Sequence, residues 1–136
     1  MKRALAVISL LLAFALLLMG CDKPAFTMTS AGNKITINVN DAADGADSEC
    51  GPYSVGKGKT AYVESALESG ALKIDFTEAT VFRDSDSMEE VILGSVAASI
   101  TVGAGEQAEV PLGQGDYVLQ LTAVGTAKGK VTVNIK

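Results

Sequence analysis

Residues 34–40, KITINVN, decide the class of fold, because apolar and polar side chains alternate along them without interruption. A period of two places Ile35, Ile37 and Val39 on one face of a β-strand and the intervening polar residues on the other. The stretch therefore predicts a half-buried strand whose apolar face is covered by a second layer.

The same alternation recurs in five further stretches separated by glycine-rich turn signals. Their apolar positions are Leu72, Ile74 and Phe76; Ala98, Ile100 and Val102; Ala108, Val110 and Leu112; Tyr117, Leu119 and Leu121; and Val131, Val133 and Ile135. Residues 60–64, 79–83 and 90–93 are weaker strand candidates. No stretch after residue 21 sustains an apolar helical stripe for three turns. Short strands at this spacing predict an all-β fold, an antiparallel β-sandwich of about seven to nine strands.

The last quarter of the chain, residues 115–122 followed by 129–133, is similar to the closing hairpin of bacterial immunoglobulin-like or jelly-roll modules. In that resemblance Tyr117, just after a Gly-Asp turn, would hydrogen-bond the preceding loop through its hydroxyl group. The alternative is that Tyr117 is only a core aromatic residue.

The N-terminus carries an export signal. Lys2 and Arg3 precede an uncharged run of 16 residues, 4–19. The motif Leu18-Met19-Gly20-Cys21 overlaps the end of this run and closes the segment. These residues resemble the lipobox of bacterial membrane lipoproteins. The resemblance implies a helical signal peptide cut before Cys21, a diacylglyceryl thioether on that cysteine, and acylation of the new amino group, for example by palmitate. An uncleaved membrane anchor and an ordinary secretory signal are the alternatives, but the run is shorter than the roughly 20 residues that span a bilayer.

The chain therefore divides into a signal peptide (1–20), a lipidated cysteine with a tether (21–33) and one β-sandwich domain (34–136). The lipid would hold the domain at the extracytoplasmic face of the cell membrane.

Charge and residue types exclude several classes of function. The chain has 16 acidic and 11 basic side chains, a formal net charge of −5, and removal of Lys2 and Arg3 lowers it to −7. Without a basic cluster, a nucleic-acid partner is not expected. The absence of histidine removes histidine-based triads and the commonest zinc sites. Cys50, the second cysteine, has no histidine to activate it, and the neighbouring Glu49 would raise the pKa of its thiol. The sequence therefore predicts no enzyme.

Two acidic segments, 41–49 and 84–90, are the only concentrations of metal-ligating groups. Calcium binds six to eight oxygen atoms, which loops rich in aspartate can supply. The alternative is that acidic residues occupy these loops because loops are hydrated. The candidate calcium ligands are Asp41, Asp44, Asp47, Glu49, Asp84 and Asp86.

The sequence thus predicts a lipid-anchored, non-catalytic module with a binding or structural role at the cell envelope, whose partner is an envelope protein or an extracellular ligand. The alternative is a domain that binds calcium, a small ligand or carbohydrate. No cofactor is expected for the non-catalytic module, and calcium is the cofactor of the alternative. For a sugar ligand, Tyr53 and Tyr62 are the aromatic residues available for stacking.

Overall fold

The computed structural model describes residues 24–83 and 89–136. These residues form seven antiparallel β-strands in one hydrogen-bonded sheet, in which β1, β2, β7, β4 and β5 are successive neighbours, β3 pairs with β7, and β6 pairs with β4. The strands are β1 (Phe26–Ala31), β2 (Lys34–Ala42), β3 (Asp47–Val55), β4 (Thr60–Arg83), β5 (Glu89–Gly103), β6 (Gln107–Pro111) and β7 (Gly115–Ile135).

Two long strands form the spine of the domain. β4 and β7 pair from Ala61 opposite Ile135 to Ala79 opposite Asp116, with irregular register between Leu67 and Ala71. Gly70 (φ 68°) lies at this irregularity, and Gly125 (φ 70°) and Gly129 (φ 134°) lie across from it on β7. These conformations are costly for any residue with a Cβ atom, so glycine allows both strands to bend here without losing their pairing.

The bend divides the sheet into two halves. In the first half, β1 and β2 flank the end of β7, and β6 flanks the start of β4. In the second half, β3 flanks the start of β7, and β5 flanks the end of β4. Each half directs one apolar face inward, which is why the two halves share a single core.

That core joins the residues whose alternation predicted the strands. Ile35, Ile37 and Val133 from the first half and Phe76 and Leu119 from the second are at most 2% exposed and belong to one hydrophobic cluster. The predicted fold class, an all-β antiparallel sandwich, is confirmed, and the described residues form seven strands.

Several predicted boundaries differ from the structure. Residues 26–31, placed in the tether by the sequence, form β1, because their backbone pairs with β2 and Phe26 is buried. Segments predicted as separate strands merge into β4, β5 and β7, since the glycines between them bend a strand without ending it. The predicted signal peptide and Cys21 lie outside the described residues. Within those residues, no helix has the length and apolar character needed to cross a membrane.

β4 and β5 continue beyond the rest of the sheet. The pairing of β4 with β7 ends at Ala79, whereas its pairing with β5 continues from Ala79 opposite Leu93 to Arg83 opposite Glu89. We call residues 79–83 and 89–96 the distal hairpin. No other described strand pairs with its outer part, so its apolar residues lack a second layer.

Candidate functional site

The distal hairpin carries most of the exposed large hydrophobic side chains of residues 24–83 and 89–136. Of the six large hydrophobic residues that are substantially exposed in the described chain, five lie on it: Phe82 (51%), Val96 (50%), Ile92 (49%), Leu93 (40%) and Val91 (36%). The sixth, Val124 (43%), lies at the bend of β7. Single exposed hydrophobic residues are ordinary, but a contiguous group on one element is typical of an interaction site.

Apolar side chains occupy both faces of this hairpin. Val81 lies opposite Val91, and Ala79 opposite Leu93, which places these residues on one face. Phe82 follows Val81 on β4, and Ile92 follows Val91 on β5. Because successive side chains of a strand alternate, Phe82 and Ile92 project to the other face. Phe82 continues the row of inward-facing residues that includes Phe76, but it lies past the end of the core.

A groove runs along the outer face of the second half of the sheet, between β3 and the distal hairpin. It consists of three adjoining depressions of about 520, 330 and 300 Å³. The first two share Pro52, and the last two share Glu49. Val91, Leu93 and Val118 line the middle, so the centre of this outer groove is apolar.

Both ends of the outer groove are polar. Arg83, Glu89 and Asp116 line one end, where the Arg83 guanidinium lies 3.0 Å from the Glu89 carboxylate. Asp47, Asp75 and Gln120 contribute to the other end.

At that second end, two separate sets of side-chain hydrogen bonds link neighbouring strands. Ser99 on β5 donates to Asp75 on β4 (2.5 Å), and the Gln120 amide on β7 donates to Glu49 on β3 (3.0 Å). Thr77, only 2% exposed, donates to the amide oxygen of Gln120 (2.7 Å). These hydrogen bonds link β5 to β4, and β4 through β7 to β3, which rigidifies this end of the outer face.

Comparisons with known proteins do not assign a family. No protein-family model and no curated protein sequence matches the chain. Among solved structures, it is similar to a Clostridium thermocellum endo-1,4-β-D-xylanase 10B, described as CBM22-1 and GH10 modules complexed with xylohexaose. That match has 17% identity and a TM-score of 0.37 and covers 83% of this chain and 24% of the xylanase chain.

A second similar structure is xylanase 10C from Cellvibrio japonicus in complex with xylopentaose. The match has 12% identity and a TM-score of 0.31, and it covers 84% of this chain and 24% of that one. This chain thus spans about a quarter of the length of either xylanase chain. Similarities at this level establish neither a common family nor a common ligand.

The first acidic segment is mostly strand rather than loop. β2 ends at Ala42 and β3 begins at Asp47, so Asp41 is the last but one residue of β2, whereas Asp47 and Glu49 project from the exposed face of β3. The extended backbone results from pairing with β7, where Asp47 lies opposite Thr122 and Glu49 opposite Gln120.

The described calcium candidates make separate contacts. A carboxylate oxygen of Asp44 accepts a hydrogen bond from the Gly125 N–H (2.8 Å), and Glu49 accepts from Gln120. Within residues 24–83 and 89–136, no three Asp, Glu, Cys or His side chains are placed to hold a metal ion together. Asp84 and Asp86 lie outside the described residues, and calcium binding stays a prediction.

Cys50 lies on the half-buried face of β3, opposite to the side of Glu49. Burial raises the pKa of its thiol, and a hydrogen bond with Tyr53 partly opposes this shift. The sequence predicted a raised pKa because of Glu49, but desolvation is the main cause, since alternation directs the Glu49 carboxylate to the other face. A protonated thiol is a poor nucleophile.

The two tyrosines considered for sugar stacking both have partners. The Tyr53 hydroxyl lies 3.0 Å from the Ser30 hydroxyl across two strand edges, and burial raises its pKa. The Lys136 ammonium lies 5.4 Å from the centre of the Tyr62 ring. Neither ring lines the outer groove, so the structure does not bring them together into one stacking platform.

Sequence reasoning missed the distal hairpin. Residues 79–83 and 90–93 were identified as weak strands, without any inference about exposure. One signal was present: Val91, Ile92 and Leu93 are consecutive apolar residues, and such a run places hydrophobic side chains on both faces of a strand.

Proposed function

We propose that this protein is a lipid-anchored, non-catalytic binding module of the cell envelope that docks a protein partner on its distal hairpin and outer groove. The observation that carries the proposal is the concentration of exposed hydrophobic residues on one hairpin. Half-exposed side chains of this size leave on the order of a few hundred Å² of apolar surface uncovered, which is the scale at which a patch is typical of an interaction site.

The position of the N-terminus supports this arrangement. Phe26 begins β1 five residues after Cys21, so a lipid on Cys21 would be at most about 17 Å of extended chain from the domain. Phe26 lies opposite Val39, which lies opposite Gly129, near the bend of the spine. The distal hairpin lies at the other end of β4, about 13 residues past the bend, or roughly 40 Å of strand. A lipid attached near the bend would therefore leave the distal hairpin projecting away from the bilayer.

A binding role fits the chemistry of the described residues better than catalysis. Several polar side chains of the outer groove are hydrogen-bonded or ion-paired with one another, and burial raises the pKa of the Cys50 thiol. The middle of the groove offers Val91, Leu93 and Val118, which are contact surfaces rather than reactive groups.

Anchoring is tested with two cysteine variants of the full chain. Cys21→Ala is expected to prevent lipid attachment and to release the protein from the membrane fraction, while Cys50→Ala, the matched control, should leave both unchanged. Equal membrane association and equal mature mass for wild type and Cys21→Ala would refute lipid anchoring.

Docking is tested with a photo-crosslinking amino acid placed in the full chain at Phe82 in intact cells. The matched control places it at Val124, which is similarly exposed but lies at the bend. We expect discrete crosslinked adducts from position 82 that are lost in the Ile92→Thr variant. Identical adducts from both positions, or none from position 82, would count against the hairpin as the docking surface.

A further inference from the structure

The free edge of β5 lacks, over most of its length, the protection that the edges of β3 and β6 have. In the part of the chain that the structure describes, β5 pairs with β4 alone, and residues 91–103 contain neither a charged residue nor a proline. β3 carries Asp47, Glu49 and Pro52, and β6 carries Glu109 and Pro111. Charges and prolines are the usual means of preventing an edge strand from pairing with another chain. β3 and β6 are protected in this way, whereas residues 91–103 of β5 are not. β1 also lacks charges and prolines, but its Ser30 hydroxyl lies 3.0 Å from the Tyr53 hydroxyl of β3, so another strand lies beside that edge.

Irregularities in β5 define how much of this edge can pair. Phe76 lies opposite Ala98, Thr77 opposite Val96, and Ala79 opposite Leu93, so β5 contains extra residues between positions 93 and 98. Such bulges interrupt a ladder. They leave two regular runs, residues 98–103 and residues 89–93. The second run lies on the distal hairpin, where both faces are exposed, and its apolar residues 91–93 follow Glu89 and Glu90.

The distribution of side chains favours a partner strand beside β5 over a partner on one face. Val91 and Leu93 project to the groove side, and Phe82 and Ile92 to the other. Because successive side chains of a strand alternate, a strand added beside residues 89–93 would contact Val91 and Leu93 on one face and Ile92 on the other. A partner lying on one face would leave the other set in water.

The charge of the hairpin specifies the chemistry of the partner. Glu89 and Glu90 are exposed there and Glu78 adjoins it on β4, whereas the one basic residue of its described strands, Arg83, is already paired with Glu89. A second copy of this chain would bring the same excess of negative charge to the interface, which disfavours self-association. A segment that carries lysine or arginine would be attracted instead.

We propose that a partner protein adds an extended, basic strand to the free edge of β5 at residues 89–93. This inference rests on the proposed function, since it requires that the distal hairpin dock a protein. It names the mode, backbone pairing, and the class of partner, a segment with an apolar centre flanked by lysine or arginine.

Three synthetic peptides test this with the full-length chain. The first has a central run of valine and threonine flanked by lysines, the second has glutamate in place of lysine, and the third is the lysine peptide with alternate backbone nitrogens methylated. Alternate amides of a strand point to opposite edges, so every second amide of residues 89–93 should exchange rapidly with solvent in the free protein. We expect the lysine peptide to slow these amides, and the other two to bind at least about tenfold more weakly.

Two protein variants serve as a matched pair. Val91→Lys places a charge on the proposed pairing run and is expected to abolish binding of the lysine peptide, whereas Thr101→Lys, beyond the bulges on the same strand, should not. Both positions are exposed, so the two melting temperatures should stay within a few degrees of the wild type.

The contradicting results are separable from failure of the proposed function. Equal binding of the methylated peptide would show that backbone pairing is not used, and equal binding of the glutamate peptide would refute the basic partner. Amides of residues 89–93 that are already protected in a concentration-dependent dimer would identify a second copy as the occupant. Each result overturns the inference while crosslinking at Phe82 still reports on docking.

Discussion

Phe76 and Phe82 lie six residues apart on β4 and project to the same face, yet their surroundings are opposite. Phe76 is fully buried in the core shared by the two halves of the sheet, whereas Phe82 is 51% exposed beyond the end of that core. Replacing each by alanine in separate variants therefore separates what the strand does for stability from what it does for binding.

The expected losses of unfolding free energy differ several-fold. Truncation of a fully buried phenylalanine removes its transfer free energy and leaves a cavity, together about 3–5 kcal/mol. Complete burial of such a side chain contributes about 1.5–3 kcal/mol. Because about half of the Phe82 side chain is exposed, Phe82→Ala should lose only about half of this contribution and leave no enclosed cavity, a cost of about 0.8–1.5 kcal/mol. For a domain of this length, the shifts in melting temperature are roughly 12–20 °C for Phe76→Ala and a few degrees for Phe82→Ala.

Urea denaturation of the two full-length variants measures these losses, with the slope of free energy against urea concentration as a check on two-state behaviour. Binding is measured with the photo-crosslinking amino acid at position 92, because position 82 is itself changed in one of the two variants. We expect Phe82→Ala to lose the adducts while the protein stays folded. If Phe82→Ala cost as much stability as Phe76→Ala, the distal hairpin would belong to the core, and its exposed residues would need no partner.

Three further changes have defined outcomes. Gly129→Ala would place a Cβ atom 2.6 Å from the backbone of β4 and is expected to lower the melting temperature much more than Gly105→Ala, which has a positive φ but meets nothing within 4 Å; similar shifts would contradict the close approach at the bend. Tyr117→Phe removes the 2.8 Å hydrogen bond from its hydroxyl to a carbonyl of the preceding loop and should cost about 0.5–1.5 kcal/mol in urea denaturation; no loss would mean that water replaces the bond. Burial raises the pKa of the Cys50 thiol in the folded protein, so the contribution of this group to stability is complete below about pH 9 and is lost as the pH rises further. Alkylation of Cys50 at pH 8, measured by mass spectrometry of the peptide that contains it, should therefore be slower in the folded than in the unfolded chain. Equal rates would refute burial of the thiol.

The fold class was predictable because alternation reports directly on burial. Ile35, Ile37 and Val39 were predicted inward from their spacing alone, and all three are at most 2% exposed. The hydroxyl of Tyr117 also donates to the loop before it, at Gly113, as one of the two sequence hypotheses held. These features depend on local pattern, which a sequence displays completely.

The long strands of the spine were not predictable, because their continuity does not depend on local pattern. Ser69-Gly70 and the segment from Gly125 to Gly129 have the composition of turns, and a turn and a bend within a strand both need glycine at positive φ. What distinguishes them is pairing with a distant segment: Ser69 lies opposite Lys128, so the ladder continues through the bend. Pairing between residues so far apart in sequence is a tertiary property, and local composition does not encode it.

The distal hairpin poses a physical problem that a structural role alone does not solve. Its exposed side chains add little to the stability of the domain, because about half of their surface stays in water. An edge strand with an uncharged run, such as residues 91–103, also promotes aggregation. Phe82 and Ile92 could be polar at small cost to folding, and a lysine among residues 91–93 would protect the edge, as the charges and prolines of β3 and β6 protect theirs. An apolar hairpin that costs solubility and adds little stability is explained if a partner covers it. The acidic rim formed by Glu78, Glu89 and Glu90 would then discourage self-association while admitting a strand of opposite charge.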